Sequence, residues 1–562
     1  MNQLPPEISS SVNGATTDVA TTAGRILAEL GVTHVFGVVG SGNYVTTAAL
    51  VSSGARFVAA RHESAALMMA ATYSQISGEV AVCSVHQGPG LTNTITALAD
   101  AAKSHTPLLV IAGQTSTGAI RSNFYINQSA LIEATGAASE HIFRAETVLV
   151  DTLRAYRRAI VERRPVVLNM PLDIQVLPTP NVTCRVAPIS IHRICATPDG
   201  IAKSVDLLAS AKRPLVLAGR GALISGAVDS LRELGDRTGA LFATSAAAHG
   251  FFNASEWNLG IAGGFSSVEV ANLIHEADVV IGFGCSFTTW TTRQDTIFSA
   301  GAIVVQIDAE KSAIAQSSRV DDSIIGDADA TARAMCAGLP ADTATQRWRT
   351  ESVATLIRAE HLPPVAEQNN PSLPMHPRDF SVALDHLMPT ERTVVIDGGH
   401  FLGWPITTWS VPDADAFIFT GGGFQSIGLG IGAAIGAYFA RPDRLPVLAV
   451  GDGGFLMSVS ELETLVRLQL PILVIIFDDA AYGAEVHHFG SSDEAVGIVR
   501  FPDFDIAALA RGAGAAGVTV RDPGDLKDIS DWLENPIGPL VVDAKIDPSV
   551  VGYWAAQDFR GH

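Results

Sequence analysis

Six segments of this chain share one design: a proline, a short run of apolar residues, then small or polar residues. They are PLLVIAGQ from 107, PVVLNMPLD from 165, PLVLAGRGA from 214, PVLAVGDGG from 446, PILVIIFDD from 471 and PLVVDAKID from 539. The runs lack apolar/polar alternation, so each strand has to be covered on both faces, as happens in parallel sheets flanked by helices. Helix-like stretches such as DGIAKSVDLLASA and SELETLVRLQ lie between them. The pattern predicts an α/β fold of doubly wound parallel sheets, in which ligands bind beyond the carboxyl ends of the strands. Chemistry is to be sought where these runs end.

A chain of 562 residues exceeds one core, and two proline-rich stretches, 177–200 and 361–377, divide it. The expected organisation is a flexible N-terminal tail (1–16), an N-terminal domain (17–185), a middle domain (197–345), a linker (346–377) and a C-terminal domain (378–562). With 47% hydrophobic and 17% charged residues, the chain has the composition of a packed protein, not a disordered one. A net charge of −20 argues against nucleic-acid or anionic-membrane partners, which need basic surface. No apolar run reaches membrane-spanning length, and the N-terminus lacks a basic-then-apolar signal. Five scattered cysteines without a CxxC pair point to buried thiols in a reducing, cytoplasmic setting.

Two of the strand ends carry acids. In AVGDGGFLMSVSELETL (449–465), Asp452 sits between glycines where strand passes into helix. Gly451, Gly453 and Gly454 allow close backbone approach, and amides at a helix start suit phosphate. A lone GDG is more often a tight turn. Asp479, however, ends the next strand of the series, beside Asp478. Neighbouring strands would bring Asp452 and Asp479 to one crevice, and two hard oxygen ligands beside a phosphate cradle describe a Mg²⁺ or Ca²⁺ site on a diphosphate.

A GDG followed at this interval by a pair of amide or acidic residues resembles the thiamine-diphosphate motif of the acetohydroxyacid (acetolactate) synthase, pyruvate decarboxylase and benzoylformate decarboxylase family. The resemblance extends from end to end of the chain and implies pyrimidine-binding, middle and diphosphate-binding domains. It implies Mg²⁺ held by Asp452, Asp479 and the carbonyl of Ala481, with thiamine diphosphate lying against the GDG turn and Tyr482. The family's usual pair is Asn-Asn, where this chain has Asp478-Asp479.

Further segments take roles from the same resemblance. Glu63, in VAARHESAALMMAATYS, would on local sequence be a helix-start acid favoured by the dipole. It matches the family's cofactor-activating glutamate, which hydrogen-bonds the aminopyrimidine and promotes loss of the thiazolium C2 proton. CSVHQGPGLTN (83–93) resembles the segment lining the pyrimidine side, with Gly88 and Asn93 at the cofactor and His86 where one branch keeps a catalytic histidine. Ser41, in FGVVGSGNY, matches a substrate-contacting serine, although Val39 replaces the usual proline there. Ile427 matches the residue that bends the cofactor, and His400, in DGGHFLGW, a position on the thiazolium side.

Glu485 stands where pyruvate decarboxylases keep a catalytic glutamate, and a buried glutamate there would handle protons. His488 stands where synthases carry a tryptophan that selects the second oxo acid. The middle segments GFGCSFTTWTTRQD and VVQIDAEKSA look synthase-like, and Gly219 and Gly221 suggest a nucleotide-like turn that leaves room for FAD, an empty structural domain being the plainer reading.

The expected activity is decarboxylation of a 2-oxo acid, with transfer to a proton, an aldehyde or a second oxo acid, as in an acetolactate-synthase-like carboligase or decarboxylase. The alternatives are a true acetolactate synthase and, in another class, a non-catalytic cofactor-binding scaffold. The resemblance also implies a homodimer or homotetramer, with Glu63 and the diphosphate site supplied by different subunits.

Overall fold

The computed structural model describes residues 8–186, 191–341, 348–359, 374–490 and 497–557. Three six-stranded sheets, all parallel, carry the chain, and each of the six proline-led runs forms a strand in one of them. The N-terminal sheet runs, edge to edge, through Arg56–Ala59, His34–Gly37, Ala81–Val85, Leu108–Gln114, Val166–Pro171 and Ala138–His141. The C-terminal sheet runs through Phe417–Phe419, Arg392–Ile396, Leu445–Gly451, Leu473–Asp478, Leu540–Lys545 and Ala516–Val520.

Counted from its own first strand, each of these two sheets has the order second, first, third, fourth, sixth, fifth. The crevice where chain direction reverses therefore falls at matching places. One lies between His34–Gly37 and Ala81–Val85, the other between Arg392–Ile396 and Leu445–Gly451. The middle sheet has the order third, second, first, fourth, fifth, sixth, with its crevice between Pro214–Ala218 and Val279–Phe283.

The N- and C-terminal domains share one core. Helix Glu63–Ser77 packs on helix Gly430–Ala440, and apolar residues of both domains join in a single buried cluster. Glycine makes the approach close: a Cβ on Gly432 would stand 2.9 Å from the carbonyl oxygen of Ala65, and one on Gly436 would collide with that of Met69. The glycine-rich segment 421–437 thus serves helix packing as well as the cleft that Ile427 lines.

Two boundaries differ from expectation. Residues 8–16 of the expected flexible tail belong to a strand, Ile8–Asp18, antiparallel to Pro178–Val186. The pairing joins segments far apart in sequence, so their Ser- and Thr-rich composition does not reveal it. Within the expected linker, Glu351–Arg358 is a helix whose Ala354 is buried and whose Val353, Leu356 and Ile357 pack on the middle-domain core. The rest of that linker from 360 to 373 lies outside the described residues. Among the described residues, no helix is long and apolar enough to cross a membrane.

Candidate active site

At the N-terminal crevice, Glu63 opens its helix, and Asn93 Nδ2 donates to Glu63 Oε2 at 2.8 Å. Gly90 stands beside them, where a Cβ would lie 3.5 Å from Glu63 Oε1. His86 follows the strand Ala81–Val85, and its Nδ1 accepts from the amide of Gly42 at 3.1 Å. That bond leaves the proton on Nε2. Burial lowers the pKa of His86 and the Glu63 charge raises it, with burial prevailing. The loop of Ser41 fits against this ring because its flanks are glycine: a Cβ on Gly40 would stand 2.9 Å from His86 Cγ. Ser41 itself is exposed. Gly88 has φ +61°, and its amide is already committed to Gln128 Oε1 at 3.1 Å, so Gly88 shapes the turn. Glu63, His86, Gly90 and Asn93 are thus brought together.

One unexpected residue holds this half-site from the other domain. Glu461 is fully buried, and its Oε1 accepts from the amides of Arg61 (2.9 Å) and His62 (2.8 Å), while Thr464 Oγ1 donates to Oε2 at 2.7 Å. The bond spans the two domains, so nothing local in the sequence marks it.

At the C-terminal crevice, strands Leu445–Gly451 and Leu473–Asp478 pair with Gly451 opposite Phe477. Their ends lie level, which brings Asp452 and Asp479 to one cleft. The cleft has a volume of about 1860 Å³ and extends to the middle domain; Gly451, Asp452, Gly453, Gly454, Asp479, Ala481, Tyr482, Glu485, Ile427, His400 and His488 all line it. Burial, with Asp478 and Asp479 beside it, pushes Asp452 up to about 8, and burial with Asp478 pushes Asp479 up to about 7. Tyr482 lies over Gly453, where a Cβ would stand 2.7 Å from Cε1. Gly454 presses on Asp397, a fully buried acid that accepts from the amides of Gly428 (2.8 Å) and Gly398 (3.0 Å).

The adjacent acids Asp478 and Asp479 part company. Asp478 turns back into the sheet, where Lys545 Nζ donates to its Oδ2 at 2.5 Å. Lys545 lies opposite Asp478 in the strand register and also reaches Asp503 (2.7 Å) and Asp543 (3.1 Å). Asp479 accepts from the amide of Ala481 at 3.1 Å and faces the cleft, with no ion-paired lysine or arginine among the described residues. The charge that answers the first acid is a lysine. The sequence carried a signal for it, since PLVVDAKID is an apolar strand interrupted by Asp543 and Lys545.

Three further expectations change. Glu485, expected to be buried, is exposed at the cleft wall, because the short helix Gly483–Phe489 turns only Val486 inward. His488 is also exposed; it is His487 that packs on His400, ring centroids 4.2 Å apart. In the middle domain, the amide of Gly219 donates to Phe283 O and that of Gly221 to Gly284 O, both at 2.9 Å. These glycines bring two strand ends together, and their amides are not free to cradle phosphate. Glu63, His86, Gly88 and Asn93 do not line the cleft of Asp452 and Asp479. In one chain the two sets of residues do not share that cleft.

Fold and cleft define an α/β protein of three doubly wound domains with a large cleft at its strand ends. Residues 17–135 match the thiamine pyrophosphate enzyme N-terminal TPP binding domain, 201–335 the central domain and 397–544 the C-terminal TPP binding domain. The chain is 30% identical to the probable 2-ketoarginine decarboxylase AruI of Pseudomonas aeruginosa, over 92% of this chain and 91% of that protein. It is 27% identical to a probable acetolactate synthase large subunit of Methanococcus aeolicus (87% and 85% covered) and to a sulfoacetaldehyde acetyltransferase of Alcaligenes xylosoxydans (92% and 89%). An X-ray structure from Mycobacterium smegmatis, assigned to thiamin diphosphate-dependent enzymes, shares the fold with a TM-score of 0.76 at 22% identity, covering 94% of this chain and 99% of that one. The chain belongs to the thiamine pyrophosphate enzyme family, and its cofactor is thiamine diphosphate.

The residues present fit that group. Buried Asp452 and half-buried Asp479 face the cleft with their pKa values pushed up, and among the described residues neither forms an ion pair with a lysine or arginine, as an acid pair awaiting a divalent cation requires. Among the described residues no three His, Cys, Asp or Glu side chains form a cage, so oxygen from the backbone or the cofactor has to complete any shell.

Proposed function

We propose that this protein decarboxylates a 2-oxo acid and delivers the remaining acyl unit to a proton or to a second carbonyl compound. The observation that carries the reading is the Asp452–Asp479 pair, level at one crevice, with the Glu63–Asn93 pair at the matching crevice. Bound thiamine diphosphate supplies the nucleophile and the electron sink for loss of CO₂. Asp452, Asp479 and the carbonyl of Ala481 would hold Mg²⁺, which would require both acids ionised. Glu63, whose Oε2 is engaged by Asn93, would hydrogen-bond the pyrimidine of the bound cofactor. His86, neutral with its proton on Nε2, and Ser41 border the pyrimidine side. Glu485 and His488, at the cleft wall, meet the incoming proton donor or acceptor. The names of the relatives, a 2-ketoarginine decarboxylase and acetolactate synthases among them, support a 2-oxo acid donor.

The active unit is at least a homodimer, in which Glu63 of one subunit completes the Asp452–Asp479 cleft of another. That Glu63 does not share that cleft within one chain supports this. Purified protein with thiamine diphosphate and Mg²⁺ is offered a panel of 2-oxo acids, and CO₂ and product are measured together. An aldehyde product makes the enzyme a decarboxylase, and a hydroxyketone or acetohydroxyacid makes it a carboligase. CO₂ release undiminished in Glu63→Gln would refute the reading. Mixing two inactive variants, Glu63→Gln and Asp479→Ala, after dissociation tests the assembly. Random pairing restores up to about a quarter of wild-type activity if sites are shared between subunits, and none if each chain is self-sufficient.

A further inference from the structure

Asp397 is the first residue beyond the strand Arg392–Ile396 and is fully buried at the C-terminal crevice. Its two oxygens face different neighbours. Oδ2 accepts from the amide of Gly428 at 2.8 Å, and the amide of Leu429 also points to the carboxylate. Oδ1 accepts from the amide of Gly398 at 3.0 Å and from the Thr420 hydroxyl at 3.2 Å, whose proton is shared with Ile396 O at 3.0 Å. Thr420 and Gly428 are the two ends of the glycine-rich loop that carries Ile427 into the cleft. One carboxylate therefore closes that loop at its base.

The same side chain reaches the diphosphate turn. A Cβ on Gly454 would stand 2.9 Å from Oδ2, one on Gly428 2.8 Å from Met457 Cβ, and one on Gly398 2.9 Å from Ile427 Cγ2. The end of the strand, the Ile427–Gly428 turn and the helix Asp452–Met457 thus meet around Asp397, too close for a side chain at any of the three glycines. Gly428 has φ +82°, so the turn beside Ile427 has little stiffness of its own. An apolar side chain at 397 could fill the space, but it could not tie the Gly428 amide.

We propose that Asp397 is a positioning residue that fixes Ile427 relative to the diphosphate turn Gly451–Gly454, and through Ile427 the conformation in which thiamine diphosphate is bound. The proposal rests on the reading of Ile427 as the residue beneath the cofactor and deepens it by naming the group that holds it there.

Asn at 397 keeps the size and one acceptor, but it turns an NH₂ toward either the Gly428 or the Gly398 amide and leaves one donor without a partner. In cofactor-free protein, amide exchange over 421–430 should rise by roughly tenfold or more in Asp397→Asn, while the strand Leu445–Gly451 keeps its wild-type rate. Turnover is measured with thiamine diphosphate, Mg²⁺ and the 2-oxo acid that the wild type consumes fastest. There kcat should fall by roughly tenfold or more and KM stay within about threefold, and Ile427→Ala should show the same split. The double variant separates positioning from support of the fold. If Asp397 acts through Ile427, kcat and thiamine diphosphate affinity, read from tryptophan fluorescence, should fall no more than about twofold below the weaker single variant.

Losses that multiply in the double variant, or wild-type exchange over 421–430 in Asp397→Asn, would overturn the proposal. A second measurement needs no variant to fold. In cofactor-free wild type, the Gly428 amide should exchange slowly at single-residue resolution, and exchange at the rate of an open loop would also overturn it. Ile427→Ala with wild-type kcat and cofactor affinity refutes the reading of Ile427 instead. A wild type that consumes none of the acids refutes the reading of the reaction, and the exchange and affinity results still decide the role of Asp397.

Discussion

Glu461 joins the diphosphate-binding domain to the turn that presents Glu63, and removing its carboxylate should loosen that turn without touching cofactor or substrate. Two amides, those of Arg61 and His62, converge on one buried oxygen at 2.9 and 2.8 Å. Hydrogen bonds to a charged acceptor contribute about 1.5–3 kcal/mol each. The Arg61 and His62 side chains are exposed, so water can reach the freed amides and the lower end applies, about 3 kcal/mol for the two. At about 1.4 kcal/mol per factor of ten, Glu461→Ala should speed amide exchange in the segment 58–66 by roughly a hundredfold. Glu461→Gln keeps an uncharged acceptor in the same place and should fall midway. Exchange followed by mass spectrometry suits a chain of three domains better than global unfolding, because it reads the local opening directly. With Glu63 no longer held, kcat/KM should fall by about tenfold or more in Glu461→Ala and recover largely in Glu461→Gln. Wild-type exchange and wild-type kcat/KM in the alanine variant would refute the reasoning.

The remaining predictions concern the metal cleft and the domain contact. Lys545→Met leaves buried Asp478 and Asp543 without their cation and should cost about 3–5 kcal/mol, seen as early melting of the C-terminal domain; Asp478→Asn in the same chain should restore at least half of the loss. The Mg²⁺-free protein should lose stability as pH rises. Asp452 and Asp479, unfolded near 3.8, hold their protons when folded until about 8 and about 7, so between those limits the folded state binds more protons than the unfolded. Because Mg²⁺ needs both acids ionised, its gain in melting temperature should grow from pH about 6 to about 8 and flatten in Asp479→Asn. Gly436→Ala drives a Cβ into the Met69 carbonyl and should cost about 1–3 kcal/mol, read as a lower melting temperature with thiamine diphosphate contacts unchanged.

The parts of this molecule that can be read from sequence are those whose physics is local. A strand buried on both faces has to be continuously apolar, and Leu108–Gln114, Val166–Pro171 and Leu473–Asp478 are marked by that requirement alone. The level ends of Leu445–Gly451 and Leu473–Asp478 follow from adjacency in a doubly wound sheet, so Asp452 and Asp479 could be paired before any coordinates. What sequence does not show is held by contacts between distant segments. The strand Ile8–Asp18 has its partner at Pro178–Val186, Glu461 has its donors at Arg61 and His62, and His400 has its partners at Gly552 and Trp554. The exposure of Glu485 is equally hidden, because the turn of the helix Gly483–Phe489 decides it.

The Asp478-Asp479 pair shows how one departure from a family's pattern is absorbed. An acid in place of the usual amide at 478 would add charge beside a diphosphate, and on sequence alone both acids could be assigned to the metal. Strand geometry decides otherwise: residues at the end of a strand alternate in direction, so adjacent side chains cannot both enter the cleft. Asp478 takes the inward place and meets Lys545, its neighbour in register, while Asp479 takes the outward one. The acid at 478 is matched by a lysine on the neighbouring strand, so of the acids at these two strand ends only Asp452 and Asp479 face the cleft. If that account holds, Asp478 and Lys545 form one unit, replaceable together and not singly, and a metal-affinity change in Asp478→Asn much larger than in the Asp478→Asn, Lys545→Met double variant is the result it requires.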